Sequence, residues 1–459
     1  MKRVVFVALS VAFFVACNSS DNGAAKTEPA RHDLIGTNLV YDASVPVNDG
    51  KPISITFWTQ VDQEEIYRDM IAAYTRIHPN VNVEIVSGSF NDHFNRLQIA
   101  LQSGIGPDMF HMHNQYSETL IPHMAPYPND ILPLDALEKD FRQVQSHILD
   151  GKVYFIDTGL MTSCIYYNRK DWQAAGLAEG DIPKTWTELR EVARKLTAYN
   201  GSGKILRSGF NPNGIAFALF CAINLQRGQR LFASADDKRP LVATSFSAET
   251  LGFIRDLYAR DRVADVSFPE FHESFGRGES SMIYAWGWTN NWLRKNYPDL
   301  DFGTFPTPTW DKGIPPAYDR NNGESSMGVS AYARKDRQTV AFDMIKFFLA
   351  NDGYLMRISL EFGVAPSKRS LDGAPALAKD PLMVNFNKIL DRTVWPGALP
   401  SFYEEILNDK LIDPVIIDGK SVSSALAATQ AFLNPMFGTN SFQSRESQYR
   451  FSTDFTTVR

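Results

Sequence analysis

Three indoles fall within seven residues, at Trp286, Trp288 and Trp292, with the side-chain amides of Asn290 and Asn291 between them. Trp58 ends a β-rich run and is followed closely by Gln60 and Asp62, while Trp395 and Tyr403 add two rings late in the chain. A sugar ring offers an apolar face of C–H groups, which flat aromatic faces suit. Its rim of hydroxyls suits Asn, Gln, Asp and Glu. A single Trp is as readily a core residue, since indoles are highly buried on average. The expectation is that at least one of Trp58, Trp286, Trp288 and Trp395 lines a site. Gly287, without a side chain, would let a ligand approach the backbone beside Trp288.

Other constellations carry less. The chain has no nucleophile elbow, phosphate-binding loop, dinucleotide fingerprint or HExxH pair. Glu64-Glu65 and Glu404-Glu405 are adjacent carboxylates, about 100° apart on a helix, so neither pair can flank one bond, and both read as solvated faces. His111 and His113 would share a strand face, but no third ligand is near in sequence, so no metal is expected. Cys164 and Cys221 stand apart without a CxxC spacing and read as two buried thiols. No cofactor is implied.

The chain has 459 residues, with Lys+Arg 46 and Asp+Glu 52 and a formal charge of −6. Without a basic excess it is not a nucleic-acid binder. An aromatic content of 12% excludes disorder over the whole length. Beyond the N-terminus no apolar run is long enough for a polytopic membrane protein. At about 100–200 residues per domain the length suggests two or three domains. Lys2 and Arg3 precede an apolar run, Val4 to Ala16, broken only by Ser10, which has the order of a secretory signal over residues 1–16. Phe14-Val15-Ala16-Cys17 follows, and residues 17–51 read as a flexible polar tether.

These residues need a scaffold, and the pattern supplies an α/β one. Ile53 to Trp58 alternates as a strand. Asp62 with Glu65 has capping-box spacing before Ile66, Met70, Ala73, Tyr74 and Ile77 at helical intervals. Val81 to Val86 is the next strand, Phe94, Leu97 and Leu101 mark a second helix, and Met109 to Met112 is a short strand. The start is β-α-β-α-β, with a mostly parallel sheet, and Trp58 sits at the carboxyl end of a strand, where such sheets bind ligands. Val153 to Ile156 and Cys164 to Tyr167 are strand-like. Thr185-Trp186-Thr187-Glu188 is a second capping box. Helices are expected over 246–258, 339–351 and 421–433, with helices and loops between 375 and 420.

In ordered blocks, the chain resembles the extracellular solute-binding lipoproteins of bacterial ABC importers, in the sugar-binding class that includes the maltodextrin-binding proteins. Phe14-Val15-Ala16-Cys17 is similar to a lipobox, with Phe14 in place of the usual Leu. Ile55 to Trp58 resembles the family's first strand, and Gly104 to Met109 its Gly-x-x-Pro-Asp block. Gly151 to Tyr154 through Asn168 resembles its crossing segment, Pro183 to Leu189 its most specific block, Phe275 to Met282 and Gly287-Trp288 its site loop, and Gly363 to Pro366 its third crossing. Phe155-Ile156-Asp157-Thr158-Gly159 departs from the family's Gly-Leu-Pro.

The resemblance implies an α/β, two-lobed periplasmic-binding-protein-like fold with a ligand cleft between the lobes and three crossing segments, near 157–162, 303–310 and 359–366. Lobe one would be 52–160 plus 306–364, lobe two 161–305 plus 365–440, and 441–459 a peripheral tail. It carries ligand contact to Trp58, Gln60, Asp62, Asn114, Tyr116, Trp286, Trp288, Glu324, Trp395 and Tyr403, and lipidation to Cys17. The implied role is capture without chemistry: a monomer anchored to the membrane by lipid, binding a small-molecule carbohydrate and delivering it to ABC permease membrane subunits. The site blocks hold no Arg or Lys, although Arg294 and Arg320 are nearby, which favours a neutral sugar. The alternative is an exported carbohydrate-active enzyme, a hydrolase or lyase, which needs two carboxylates flanking the scissile bond. A pure adhesin or sensor lobe, bound to a receptor instead of a permease, is a third reading.

Overall fold

A computed structural model describes residues 34–439 apart from 234–238, 325 and 398, together with Ser444 and Glu446. The signal segment and Cys17 lie outside the described residues. Ten strands build the three sheets that position the site. They are β1 (Ile53–Gln60), β2 (Val81–Gly88), β3 (Met109–Met112), β4 (Gly159–Met161), β5 (Ser163–Asn168), β6 (Met282–Trp286), β7 (Phe302–Pro306), β8 (Asn322–Glu324), β9 (Ser326–Val329) and β10 (Ala365–Pro366).

Lobe one holds the sheet β9-β3-β1-β2. β1 pairs in parallel with β2 and β3, and β9 closes the edge antiparallel to β3. The alternation of β1 sets its two faces. Ile53, Ile55 and Phe57 join the core of Ile66, Met70 and Tyr74 from helix Glu64–Ile77. Trp58, on the other face, packs with Phe94, Leu97 and Leu101 of helix Phe90–Gln102. Asp62 does not cap the first helix, which starts after a short 3₁₀ turn at Val61–Gln63, with Gln63 at its N-cap and no side-chain cap bond. That turn leaves Asp62 at the end of β1, on the surface between the lobes.

Lobe two holds β6-β5-β7, with both neighbours antiparallel to β5. The Thr185–Glu188 capping box forms: the Glu188 amide donates to Thr185 Oγ1, and the Thr185 amide to the Glu188 carboxylate, each at 3.2 Å. Helix Ala216–Gln226 is buried on every side, as a helix apolar all round must be. Cys164 and Cys221 are free and buried. Among the described residues no helix is long and apolar enough to cross a membrane.

Between the lobes lies the antiparallel hinge sheet β8-β4-β10, one strand from each crossing. Its strands from the first and third crossings are Gly159–Met161 and Ala365–Pro366, the latter following the end of helix Asp352–Phe362. The second crossing is not at 303–310: residues 302–306 are β7, inside the lobe-two sheet. Beyond it Thr309 exchanges backbone bonds with Lys184 and Trp186, and Trp310 packs on Phe253. Residues 306–321 therefore belong to lobe two, and the chain returns to lobe one through Asn322–Glu324. Strand structure near 153–156 is limited to Lys152–Val153.

The ends differ from expectation as well. Residues 34–51 are not tether: Leu39, Tyr41 and Val47 are buried in lobe one, and Tyr41 Oη bonds His78 at 2.5 Å and Asp343 at 3.0 Å. In the tail, Glu446 is buried and its carboxylate accepts from the amides of Leu231 and Phe232, at 2.8 and 3.2 Å.

Candidate functional site

A cleft of about 830 Å³ separates the lobes beside the hinge sheet. From lobe one, Gln60, Asp62 and Gln63 enter it after β1, and His113 and Asn114 after β3. These are carboxyl ends of parallel strands, where side chains and backbone ends point away from the sheet. Asn114 is 1% exposed and neither atom of its side-chain amide has a partner. Gln63 Oε1 and Asn321 Oδ1, also in the cleft wall, are buried and unpartnered as well. Buried polar atoms without partners carry a penalty of about 1–3 kcal/mol each, which a hydroxyl-bearing molecule in the cleft would relieve.

His113 and Glu324 form the cleft's best-defined polar pair. The Gln115 amide donates to His113 Nδ1 at 3.2 Å, which leaves Nε2–H to donate to Glu324 Oε1 at 3.1 Å. Glu324 lies on β8, so the pair joins lobe one to the second crossing.

Lobe two supplies the indoles. Trp286, Trp288, Trp292 and Trp395 all line the cleft. The Arg320 guanidinium lies 5.6 Å from the Trp286 ring centroid and 5.0 Å from that of Phe217, which holds it by cation–π attraction. Beside it, Asp319 accepts from Tyr284 Oη at 2.7 Å, from the Arg320 amide at 2.6 Å and from Ser163 Oγ. Burial pushes the Asp319 carboxyl up to about 6. Gly287 does not open the backbone to ligand. A Cβ there would overlap the carbonyl of Gly363, the left-handed residue ending helix Asp352–Phe362. The contact presses the start of helix Trp288–Asn296 against the third crossing and fixes where Trp286 and Trp288 project.

A family model described as bacterial extracellular solute-binding protein matches residues 59–354. The chain belongs to that family. Membership makes it an exported solute-binding protein rather than a member of an enzyme family. An arabinooligosaccharide-binding protein of Halalkalibacterium halodurans is 22% identical over 344 residues, covering 71% of this chain and 74% of that protein. A maltotriose-binding protein of Pyrococcus abyssi is 21% identical over 375 residues, 76% of each. Among solved structures, the sugar-binding protein MalE of Xanthomonas citri superposes with a TM-score of 0.70 at 18% identity, covering 84% of this chain and 98% of that one. The maltodextrin-binding domain MalE of Bdellovibrio bacteriovorus, bound to maltotriose, gives 0.68 at 17% identity, covering 84% and 100%. The fold is the two-lobed one of these binding proteins.

Within this family fold, seven of the expected contact residues line the cleft: Gln60, Asp62, Asn114, Trp286, Trp288, Glu324 and Trp395. Three do not. Trp58 faces helix Phe90–Gln102, with Arg96 5.7 Å over its ring. Tyr116 stacks on Phe94 at 4.2 Å, one layer behind the cleft residue Phe90. Tyr403 is 2% exposed among Phe217, Phe232 and Phe437, and its neighbour Glu404, assigned to a solvated face, lines the cleft instead. The expectation of a site without basic residues is also corrected, because Arg320 and Lys295 are in the wall. His111 and His113 both approach Phe94, at 5.9 and 6.2 Å. Among the described residues no group of three His, Cys, Asp or Glu is placed to hold a metal ion.

Proposed function

We propose that this protein captures a neutral carbohydrate between its lobes and delivers it to the membrane subunits of an ABC importer. The observation that carries this reading is the opposition of two walls: four indoles line the cleft from lobe two, and the buried, unpartnered Asn114 amide and Gln63 Oε1 line it from lobe one. One wall suits the C–H face of a sugar ring and the other its hydroxyls. Arg320 and Lys295 share the cleft with Asp62, Glu324, Glu361 and Glu404, so the site presents no net positive field to an anion. The oligosaccharides in the names of the relatives support the same class. A sugar touching both walls would favour the closed state and shift the open–closed equilibrium.

The same reading makes Cys17 the lipidated N-terminus of a monomer. The sugar leaves unchanged. The test is a thermal-shift screen of the mature body against maltotriose, arabinotriose, N,N′-diacetylchitobiose and their monosaccharides. A sugar at 100-fold its Kd adds about 2.7 kcal/mol of stability. Binding only of uronates or sugar phosphates would overturn the neutral assignment. Recovery of a cleaved glycan by mass analysis would move the protein to the enzyme alternative. For the anchor, Cys17→Ala should release the protein from the membrane fraction, and unchanged detergent partitioning would remove the lipid.

A further inference from the structure

Asp157, in the stretch that departs from the family pattern, is buried just ahead of β4 and touches all three crossings. Its carboxylate accepts from Ser326 Oγ at 3.3 Å, beside the second crossing. Its carbonyl accepts from Ser367 Oγ at 2.6 Å, beside the third. A Cβ on Gly323 would overlap the same carboxylate, so β8 lies directly against it. From the 3₁₀ turn Val144–His147 of lobe one, His147 Nε2 bonds Asp157 Oδ2 at 2.8 Å, and both side chains are 1% exposed. The face of that imidazole lies against Trp395 of lobe two, with ring centroids 4.8 Å apart and planes at 31°. Phe155 closes in on it at 4.5 Å and 61°. Trp395 itself lines the cleft. One buried side chain thus connects a cleft ring to the point where the three crossings meet.

The 2.8 Å bond between His147 and Asp157 is short and directional. Held by Asp157 on one edge and packed between Phe155 and Trp395, the buried His147 ring has little free space in which to absorb a displacement. A shift of the indole must be passed to Asp157, and from there to Ser326, Gly323 and Ser367 on the other two crossings.

We propose that His147 is a positioning residue that couples the Trp395 indole to the three-strand hinge. Contact made on Trp395 in the cleft then biases the crossings. This rests on the cleft reading above, but its test needs no sugar, so the two can fail separately. The measurement is hydrogen exchange at the backbone amides of 158–161, 322–324 and 364–367, which reports local opening of the hinge. Trp395→Ala in the parent protein should speed exchange there at least fivefold. His147→Phe keeps a ring beside Trp395 and loses the bond to Asp157. It should raise hinge exchange by itself and leave Trp395→Ala with less than a twofold further effect. His147→Gln can still donate to Asp157. It should restore parent exchange at the crossings while making them insensitive to Trp395→Ala. Should His147→Phe fail to fold, the His147→Gln background alone decides. Unchanged hinge exchange in Trp395→Ala, or a full fivefold effect persisting without His147, would overturn the coupling and leave His147 as core filling.

Discussion

The two walls of the cleft are built from different chemistry on different supports. Lobe one presents amides and carboxylates at strand ends, of which the Asn114 amide and Gln63 Oε1 are buried and unpartnered. Lobe two presents indoles on a loop and helix start pinned by the Gly287–Gly363 contact. Polar atoms with fixed directions discriminate orientation, because a mismatched ligand leaves them unsatisfied. Aromatic faces add affinity that tolerates rotation in the ring plane. The difference teaches that the cleft divides labour: lobe two should hold most of the free energy, and lobe one most of the selectivity.

The largest test of that division is Trp288→Ala. Loss of burial and ring stacking should remove about 2–4 kcal/mol of sugar binding, at least tenfold in Kd by calorimetry. Trp288 also edges His272 and Phe271, at 5.5 and 6.1 Å. A destabilised variant with parent affinity would therefore return it to the core. Asn114→Ala comes next. Two lost hydrogen bonds should weaken binding by about 1–2 kcal/mol, while the melting temperature of the free protein holds or rises, since the deleted amide has no partner there. A drop in melting temperature without loss of affinity would remove Asn114 from the polar wall.

A smaller effect concerns Asp319, behind the indole wall. Burial holds its carboxyl at about 6, so the native state keeps a proton that the unfolded chain gives up near the ordinary 3.8. That proton's contribution is complete below about pH 4 and is lost as pH rises through about 6. Asp319→Asn should flatten the fall in melting temperature over this window, and parallel curves for parent and variant would clear Asp319 as its source. The smallest effect is expected at Tyr403→Phe, which keeps the ring in the lobe-two core. Affinity should stay within about 0.5 kcal/mol of the parent, and a larger change would place the residue back in the site.

Where the chain alternates or repeats at helical spacing, the sequence was legible: β1 to β3, their helices and the Thr185 capping box form where the pattern puts them. The second crossing was not, because Phe302–Pro306 has strand character and belongs to lobe two, whereas Asn322–Glu324 is a polar stretch that reads as a turn. Tyr403 and Glu404 show how a site is missed by one residue. Adjacent helix positions point about 100° apart, and without knowing the buried face the aromatic is the natural choice, whereas Glu404 is the one that lines the cleft. Trp58 misses the cleft by its depth along β1, not by strand parity. It shares a face with Gln60, but lies deep enough along β1 to be covered by helix Phe90–Gln102. Arg320 reads from the sequence only as near the site, and its entry into the wall depends on the second crossing.

The edge strand of the lobe-one sheet has a temporal consequence. β9 reaches β3, pairing Ser326 with Met112, only after the whole of β5 to β7 has been laid down. A chain emerging N-terminus first therefore carries lobe one with an open strand edge until most of it has been made. Contacts so remote in sequence form slowly. Lobe one is the first begun yet keeps that edge open until β9 arrives, so a truncation between Pro306 and Asn322 should leave it aggregation-prone.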